Sequence, residues 1–290
     1  MSVIFYSMAG EGRGHASKVR AITNALRTHG HRLHLFAPAM AYDFLEPLYR
    51  HSNDVQVTRI PGIVYHYTAK GQVAYGLTGW HMLRYWATRP RWSRAITKAF
   101  QDERPDFVIV DFEPELPRQA KRFHVPWISI DHVNFLRTYD LSMLPLSLRV
   151  HTWWWRLVVA AYGGGKTPHC IVSSFYFPPL RPGMHNVVQV GGILHENVRR
   201  ACPTDAGHVT AYLRRGMDDN VLRSLAECGR EVHIFSEGKT MQKGNLHFHP
   251  IDPEKFIESM VHCSALIATA GNQVISEALY LGSGLIKEIQ

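Results

Sequence analysis

The run Gly10-Glu11-Gly12-Arg13-Gly14-His15 places a titratable imidazole at the mouth of a glycine-rich turn. Glycines let backbone N–H groups come close to an anion, and the first turn of a following helix adds its positive end. The histidine adds proton transfer, which a loop built only to cradle phosphate lacks. A conventional dinucleotide loop would carry a third glycine at position 17, where this chain has Ser17. Two more polar groups close apolar runs: Asp111 with Glu113, and Asp131 with His132. Either aspartate could instead cap the helix that follows it, a use that competes more strongly for Asp131 than for Asp111.

These groups must be positioned by alternating strands and helices. Val3-Ile4-Phe5-Tyr6 reads as a strand, and residues 16–29 as an amphipathic helix stopped at Gly30. Residues 32–37 and 54–60 read as strands, and residues 79–101 as a long helix broken near Pro90. A buried strand over 105–111, a short helix over 116–123 and a strand over 125–132 follow. Pro178-Pro179-Leu180-Arg181-Pro182-Gly183 is the best linker, which divides the chain into residues 1–180 and 181–290. In the second part strands are expected over 208–213, 231–235, 246–249 and 264–269, with helices over 218–228, 252–262 and 273–281. Such alternation implies parallel sheets with helices on both faces and ligands at the carboxyl ends of the strands.

A length of 290 residues fits two domains, and 46% hydrophobic with 19% charged residues is ordinary for a soluble globular protein. The net charge of +8 favours an anionic partner without choosing among nucleic acid, anionic membrane and phosphorylated substrate. Cys170, Cys202, Cys228 and Cys263 form no CxxC pair, and free thiols in the cytoplasm are expected. Strand-like residues begin at position 2 and run into the glycine turn, so no targeting segment is expected.

Three patterns mislead. Gly163-Gly164-Gly165-Lys166-Thr167 has the tail of a nucleotide-triphosphate loop, but the pattern needs glycine at 160, where Ala160 stands. His247 and His249 would share a strand face as metal ligands do, without a third ligand nearby, so no metal site is expected. Tryptophan and arginine interleave over residues 80–100 and 144–162, with Trp153-Trp154-Trp155 in the second stretch. Arg149, His151 and Arg156 exclude a membrane span there. The remaining uses, in decreasing order, are an ordinary helix with a solvated basic face, an interfacial membrane surface and a platform for nucleobases.

Taken together, Ala9-Gly10-Glu11-Gly12-Arg13-Gly14-His15-Ala16, Asp111-Phe112-Glu113-Pro114, Ser129-Ile130-Asp131-His132 and the run from Thr269 through Gly271-Asn272-Gln273 to Gly282 resemble a family of microbial glycosyltransferases. That family is related to the UDP-glucuronosyltransferases and to the lipid-linked N-acetylglucosaminyltransferase of peptidoglycan synthesis. The likeness runs from residue 3 to about residue 282, and Ser276-Glu277-Ala278-Leu279-Tyr280-Leu281-Gly282 is its most specific part. It implies an α/β GT-B fold: two Rossmann-like domains facing across a cleft, the first for the acceptor and the second for a nucleotide sugar. It also implies a hexosyltransferase-like enzyme that moves a sugar from a nucleotide-diphosphate sugar, a UDP-sugar, to an acceptor hydroxyl. The transfer would be inverting and metal-independent, with no cofactor, and the acceptor a lipid, a glycan or a small molecule.

Carried onto this chain, the resemblance makes His15 the base and Asp111 the acid that orients it, with Gly12, Gly14, Glu113 and His132 on the acceptor side. Gly216, Gly271, Asn272 and Gln273 would hold the donor, and Glu277 would accept from the ribose hydroxyls. Relatives continue after Leu-Gly with Lys-Pro, a buried strand and closing helices. Here Ser283-Gly284-Leu285-Ile286-Lys287-Glu288-Ile289-Gln290 follow, so the second domain is expected to be incomplete and to lack its last strand. Two rivals remain. One is a catalytically inactive homologue that binds a ligand or a membrane, and the other is a Rossmann-type regulator with its basic face on nucleic acid. The expected location is cytoplasmic, with a peripheral place at the inner face of an anionic membrane, and nucleic acid is the least favoured partner.

Overall fold

The computed structural model describes residues 1–10, 13–62, 66, 74–162, 169–213, 219–236, 238–268, 271–282 and 284–287. For residues 13, 75, 158, 161, 162 and 284–287 it describes the backbone alone. Two compact units divide the described chain between Ile193 and Leu194.

The first unit opens with β1 (Val3–Met8), α1 (Arg13–Thr28), β2 (Arg32–Pro38), α2 (Ala39–Tyr49) and β3 (Val55–Ile60). It continues with α3 (Tyr75–Glu103), β4 (Phe107–Asp111), α4 (Leu116–Arg122), β5 (Trp127–Asp131), α5 (Phe135–Thr138), α6 (Leu146–Tyr162), β6 (Cys170–Ser173) and β7 (Val187–Val190). Its strands pair in the order β3-β2-β1-β4-β5-β6-β7, all parallel. The order reverses between β1 and β4, which is the switch point where such sheets take ligands at their carboxyl ends.

Side-chain alternation decides what faces what. Ile4, Tyr6 and Met8 of β1 pack with Ala16 and Val19 of α1 and with Ala41 and Leu45 of α2. Phe5 points the other way, into a core with Phe36, Phe100, Val108 and Val110 under α3 and α4. On β4, Ile109 belongs to the α1 face, so Asp111, two residues on, points to that face as well. A parallel strand buried on both faces reads as a continuous apolar run, which is why β1 and β4 are plain in the sequence.

The second unit holds α7 (Glu196–Arg200), β8 (Val209–Tyr212), α8 (Asp219–Ala226), β9 (Val232–Ser236), β10 (Met241–Lys243), β11 (Leu246–Pro250), α9 (Pro253–His262), β12 (Ala265–Ala268), α10 (Asn272–Leu281) and β13 (Gly284–Lys287). Its strand order is β10-β11-β9-β8-β12-β13, parallel except for the β10–β11 hairpin. Again the order reverses inside the sheet, between β8 and β12. Asp252 caps α9 by accepting from the N–H groups of Glu254 and Lys255, and Gly282 ends α10 in the left-handed region at φ 70°.

Several expectations need correction. The boundary falls after Ile193 rather than residue 180, because Leu180 bridges to Tyr139 and Val187–Val190 adds an edge strand to the first sheet. Helix α3 runs unbroken through Pro90. A proline forfeits one helical hydrogen bond, and here the buried Glu115 clasps both sides of that point. Arg89 Nε donates to its Oε2 at 2.7 Å and Ser93 Oγ to its Oε1 at 2.5 Å. The strand expected to be lacking after Gly282 is present, since Gly284–Lys287 pairs in parallel with Ala265–Ala268. The run 163–167 lies outside the described residues. All four cysteines are free.

The glycine turn has a steric reason as well. A Cβ on Gly10 would stand 2.8 Å from Pro38 Cγ and 3.0 Å from the Pro38 carbonyl oxygen, and one on Gly62 would stand 2.5 Å from Pro38 Cβ. Three segments at the carboxyl edge of the sheet thus meet on one ring. Gly10→Ala should destabilise the chain by about 1–3 kcal/mol through overpacking against backbone. Urea unfolding measures this, and an unchanged midpoint would remove the steric reading.

Candidate functional site

The switch point of the first sheet carries the best-formed polar cluster. Met8 of β1 pairs with Asp111 of β4, and the Ala9 N–H donates to the Asp111 carbonyl at 2.8 Å. This brings the start of α1 over the end of β4. His15 and Lys18 lie three residues apart and so share one face of α1. His15 Nδ1 meets Asp111 Oδ2 at 2.8 Å, and Lys18 Nζ meets Asp111 Oδ1 at 2.9 Å. The sequence reading expected the first contact and missed the second.

The electrostatics of the cluster follow from burial. Asp111 is fully buried, which by itself raises a carboxyl pKa, but the charges and hydrogen bonds of His15 and Lys18 outweigh burial and hold it below the ordinary value. An ionised carboxylate can only accept, so His15 donates to Asp111 through Nδ1, and Nε2 is the ring nitrogen not engaged by Asp111. The His15 side chain is 24% exposed, whereas those of Lys18 and Asp111 are 7% and 0% exposed. Solvent therefore reaches the His15 ring and not its two partners. The residue after Asp111, Phe112, has φ 53°, a left-handed conformation that costs a non-glycine residue energy and is met at functional turns.

The neighbouring acids do different work. Glu113 accepts from the N–H groups of Glu115 at 2.7 Å and Leu116 at 2.9 Å, so it holds the first turn of α4. Burial pushes its pKa up to about 7 against those bonds. Asp131 accepts from the Asn134 N–H at 2.7 Å, from Asn134 Nδ2 at 2.6 Å and from Ser129 Oγ. Burial raises its pKa, and Asp111 adds to the rise. Both acids thus bond to nearby backbone, Asp131 as the capping alternative has it, while Asp111 does not. His132 is half-buried, stacks on Phe135 and meets the Ser173 carbonyl through Nδ1 at 3.1 Å. Gly14 is exposed in the first turn of α1, and Gly12 lies outside the described residues.

In the second unit Gly271 stands extended before α10, and Asn272 and Gln273 open the helix. The first N–H groups of a helix have no partner within it and suit an anion. Glu277 is buried one turn further on and accepts from Gln273 Nε2 at 2.7 Å. Burial pushes its pKa up to about 7, opposed only by that bond. Gly216 lies outside the described residues. His233 packs between His247 and His249, its ring stacked on theirs at centroid distances of 5.4 and 5.3 Å. Among the described residues no group of three or more His, Cys, Asp or Glu is placed to hold a metal ion.

Two Rossmann-like units, each with its polar residues at a switch point, define the GT-B class of glycosyltransferases. The sequence model described as glycosyl transferase family 1 matches residues 2–287, and the chain belongs to that family. Similar solved structures include the calicheamicin glycosyltransferase CalG4, 16% identical, with a TM-score of 0.63 over 98% of this chain and 79% of that one. Another is UGT89C1 of Arabidopsis thaliana complexed with UDP-L-rhamnose, 14% identical, with a TM-score of 0.64 over 99% of this chain and 79% of that one. The glycotransferase of kitacinnamycin is 13% identical, with a TM-score of 0.63 over 100% of this chain and 80% of that one. At these identities the likeness is one of fold. No curated protein matches the chain in sequence.

The lowered pKa of Asp111, to which His15 and then Lys18 contribute, gives this cluster a pH dependence. A carboxylate whose pKa is lowered on folding adds stability above its unfolded value, about 4, and loses it only as pH falls through the lower folded value. Lys18→Met should raise the folded value, so that acid unfolding begins at a higher pH. Stability at neutral pH should fall by about 3 kcal/mol, the lower end for breaking a buried pair, because His15 remains. Urea unfolding at a series of pH values tests this, and an unshifted acid midpoint would reduce Lys18 to a space-filling role.

Proposed function

We propose that this protein transfers a sugar from a nucleotide-diphosphate sugar, a UDP-sugar, to an acceptor hydroxyl bound by the first unit. The observation that carries the reading is the His15–Asp111 hydrogen bond at the switch point, made through Nδ1. In the proposed step Nε2 takes the proton of the acceptor hydroxyl as its oxygen attacks the anomeric carbon. The bond from that carbon to the diphosphate oxygen breaks, and the nucleoside diphosphate leaves with the electron pair. Asp111 stabilises the imidazolium that forms. A base used once in a single displacement inverts the anomeric carbon. Lys18 keeps Asp111 ionised in this scheme and touches no substrate.

The donor is assigned to the second unit. The N-terminal turn of α10, from Gly271 through Asn272 and Gln273, would neutralise the diphosphate, and Glu277 would accept from the two ribose hydroxyls. Support for uridine comes from fold neighbours solved with UDP or UDP-L-rhamnose. The polar groups named here are those of helix ends and side chains, so the scheme uses neither a metal nor a further cofactor. The acceptor class is a hydroxyl-bearing small molecule, glycan or lipid.

Two measurements check the reading. With a panel of UDP-sugars, release of UDP should be detectable, and His15→Ala should lower turnover by roughly 10²–10⁴-fold while donor affinity stays nearly unchanged. A variant that turns over at the parental rate would remove His15 from the chemistry. Calorimetry with UDP should show binding that Glu277→Ala weakens by about 1–3 kcal/mol, whereas equal affinity would refute the ribose role. Binding of UDP without any turnover would mark the chain as a ligand-binding homologue instead.

A further inference from the structure

Helix α6 breaks the usual rule for a soluble helix, which buries one apolar stripe. Leu146, Val150, Trp153 and Leu157 follow at spacings of four, three and four residues and so form one stripe, yet every one of them is exposed. Leu146 is 72% exposed, Trp153 58% and the adjacent Trp154 60%. Among the described side chains of the helix only Val159 is buried. An apolar stripe of this length left in water marks a surface that something covers.

What covers it is indicated by the charge beside it. A cavity of about 420 Å³ opens against the stripe, and its lining includes Arg149, Arg156 and Arg181, with Asp140 as its one acid. Arg156 is fixed in place: Nε donates to the Leu136 carbonyl at 2.5 Å and Nη2 to the Tyr139 carbonyl at 3.3 Å. Its pKa is lowered by burial and then by the Arg181 charge, against the pull of Asp140. Arg181 Nη1 donates to the Arg137 carbonyl at 3.3 Å. Among the described residues no ion pair joins any of the three to a carboxylate. Asp140 itself accepts from the Ser142 N–H at 2.9 Å. The cavity thus holds three cations against one anion, and α6 carries no acidic residue.

We propose that this cavity binds the phosphate of an anionic phospholipid headgroup while the stripe of α6 lies in the adjoining acyl layer. Guanidinium groups match phosphate oxygens in pairs, and tryptophan suits the boundary between headgroup and acyl chain. The helix would lie on the bilayer rather than cross it, since no helix among the described residues is long and apolar enough to span one. None of these residues belongs to the His15–Asp111 cluster, so the proposal stands apart from the transferase reading.

Co-sedimentation of the full chain with phosphatidylcholine vesicles, with and without phosphatidylglycerol, tests it. The chain should pellet only with the vesicles that contain phosphatidylglycerol, and the bound fraction should fall with added salt. Arg149→Gln with Arg181→Gln should weaken binding about 25-fold, roughly fivefold for each basic side chain. Trp153→Ser with Trp154→Ser should weaken it at every salt concentration. All four positions are exposed, so thermal unfolding should match the parent in both double variants. Equal binding to pure phosphatidylcholine, or unchanged binding of the arginine variant, would overturn the proposal. So would arginine-dependent binding of inorganic phosphate or of a single-stranded oligonucleotide in a chain whose vesicle binding the tryptophan variant leaves intact.

Discussion

Taking a carboxylate out of water costs several kcal/mol unless charge and hydrogen bonds replace its lost hydration. Asp111 is fully buried, and His15 and Lys18 supply both replacements from one helix face. This demand fixes how α1 is rotated over β1 and β4, because a turn of the helix in either direction would separate Lys18 from its partner. The rotation in turn points His15 to the carboxyl edge of the sheet and sets which ring nitrogen is free. The alternation along β4 does the rest, since Ile109 on the α1 face commits Asp111 to that face. The placement of His15 thus depends on an ion pair inside the core.

Much of this was legible in the sequence, and the misses have physical causes. The His15–Asp111 pair could be expected because strand ends and the turn after β1 converge in any doubly wound sheet. Lys18 could not, because a lysine in an amphipathic helix reads as solvated face. Its signal was position, between Ala16 and Val19, both of which are buried. Glu113 and Asp131 stand at or just past strand ends, and each also closes a local turn with a partner two or three residues on. Such bonds compete with function for the same side chains, and spacing alone does not separate the two. Pro90 was expected to break α3, and a long-range clasp through Glu115 overrides the local rule. Strand β7 follows the Pro-Gly turn that reads as a linker, and its four residues carry too little pattern to mark a strand.

The two units treat their buried carboxylates in opposite ways. Asp111 has two side-chain partners, His15 and Lys18, that hold its carboxyl below the ordinary value. Glu277 has one neutral partner, Gln273, and its pKa rises to about 7. Near neutral pH such a group is divided between its two forms, and donated hydrogen bonds from a ligand would favour the charged one. The first arrangement is complete before a ligand arrives, whereas the second gains from one.

The meeting of Gly10 and Gly62 on the Pro38 ring has a further consequence. The segment after β1, the end of β2 and the segment after β3 share one contact, and none of the three has room to spare. A larger side chain at position 10 or 62 requires a smaller or displaced one at position 38. Across relatives these three positions should therefore drift as a set rather than singly, and a chain that lost the ring at 38 would be free to replace either glycine.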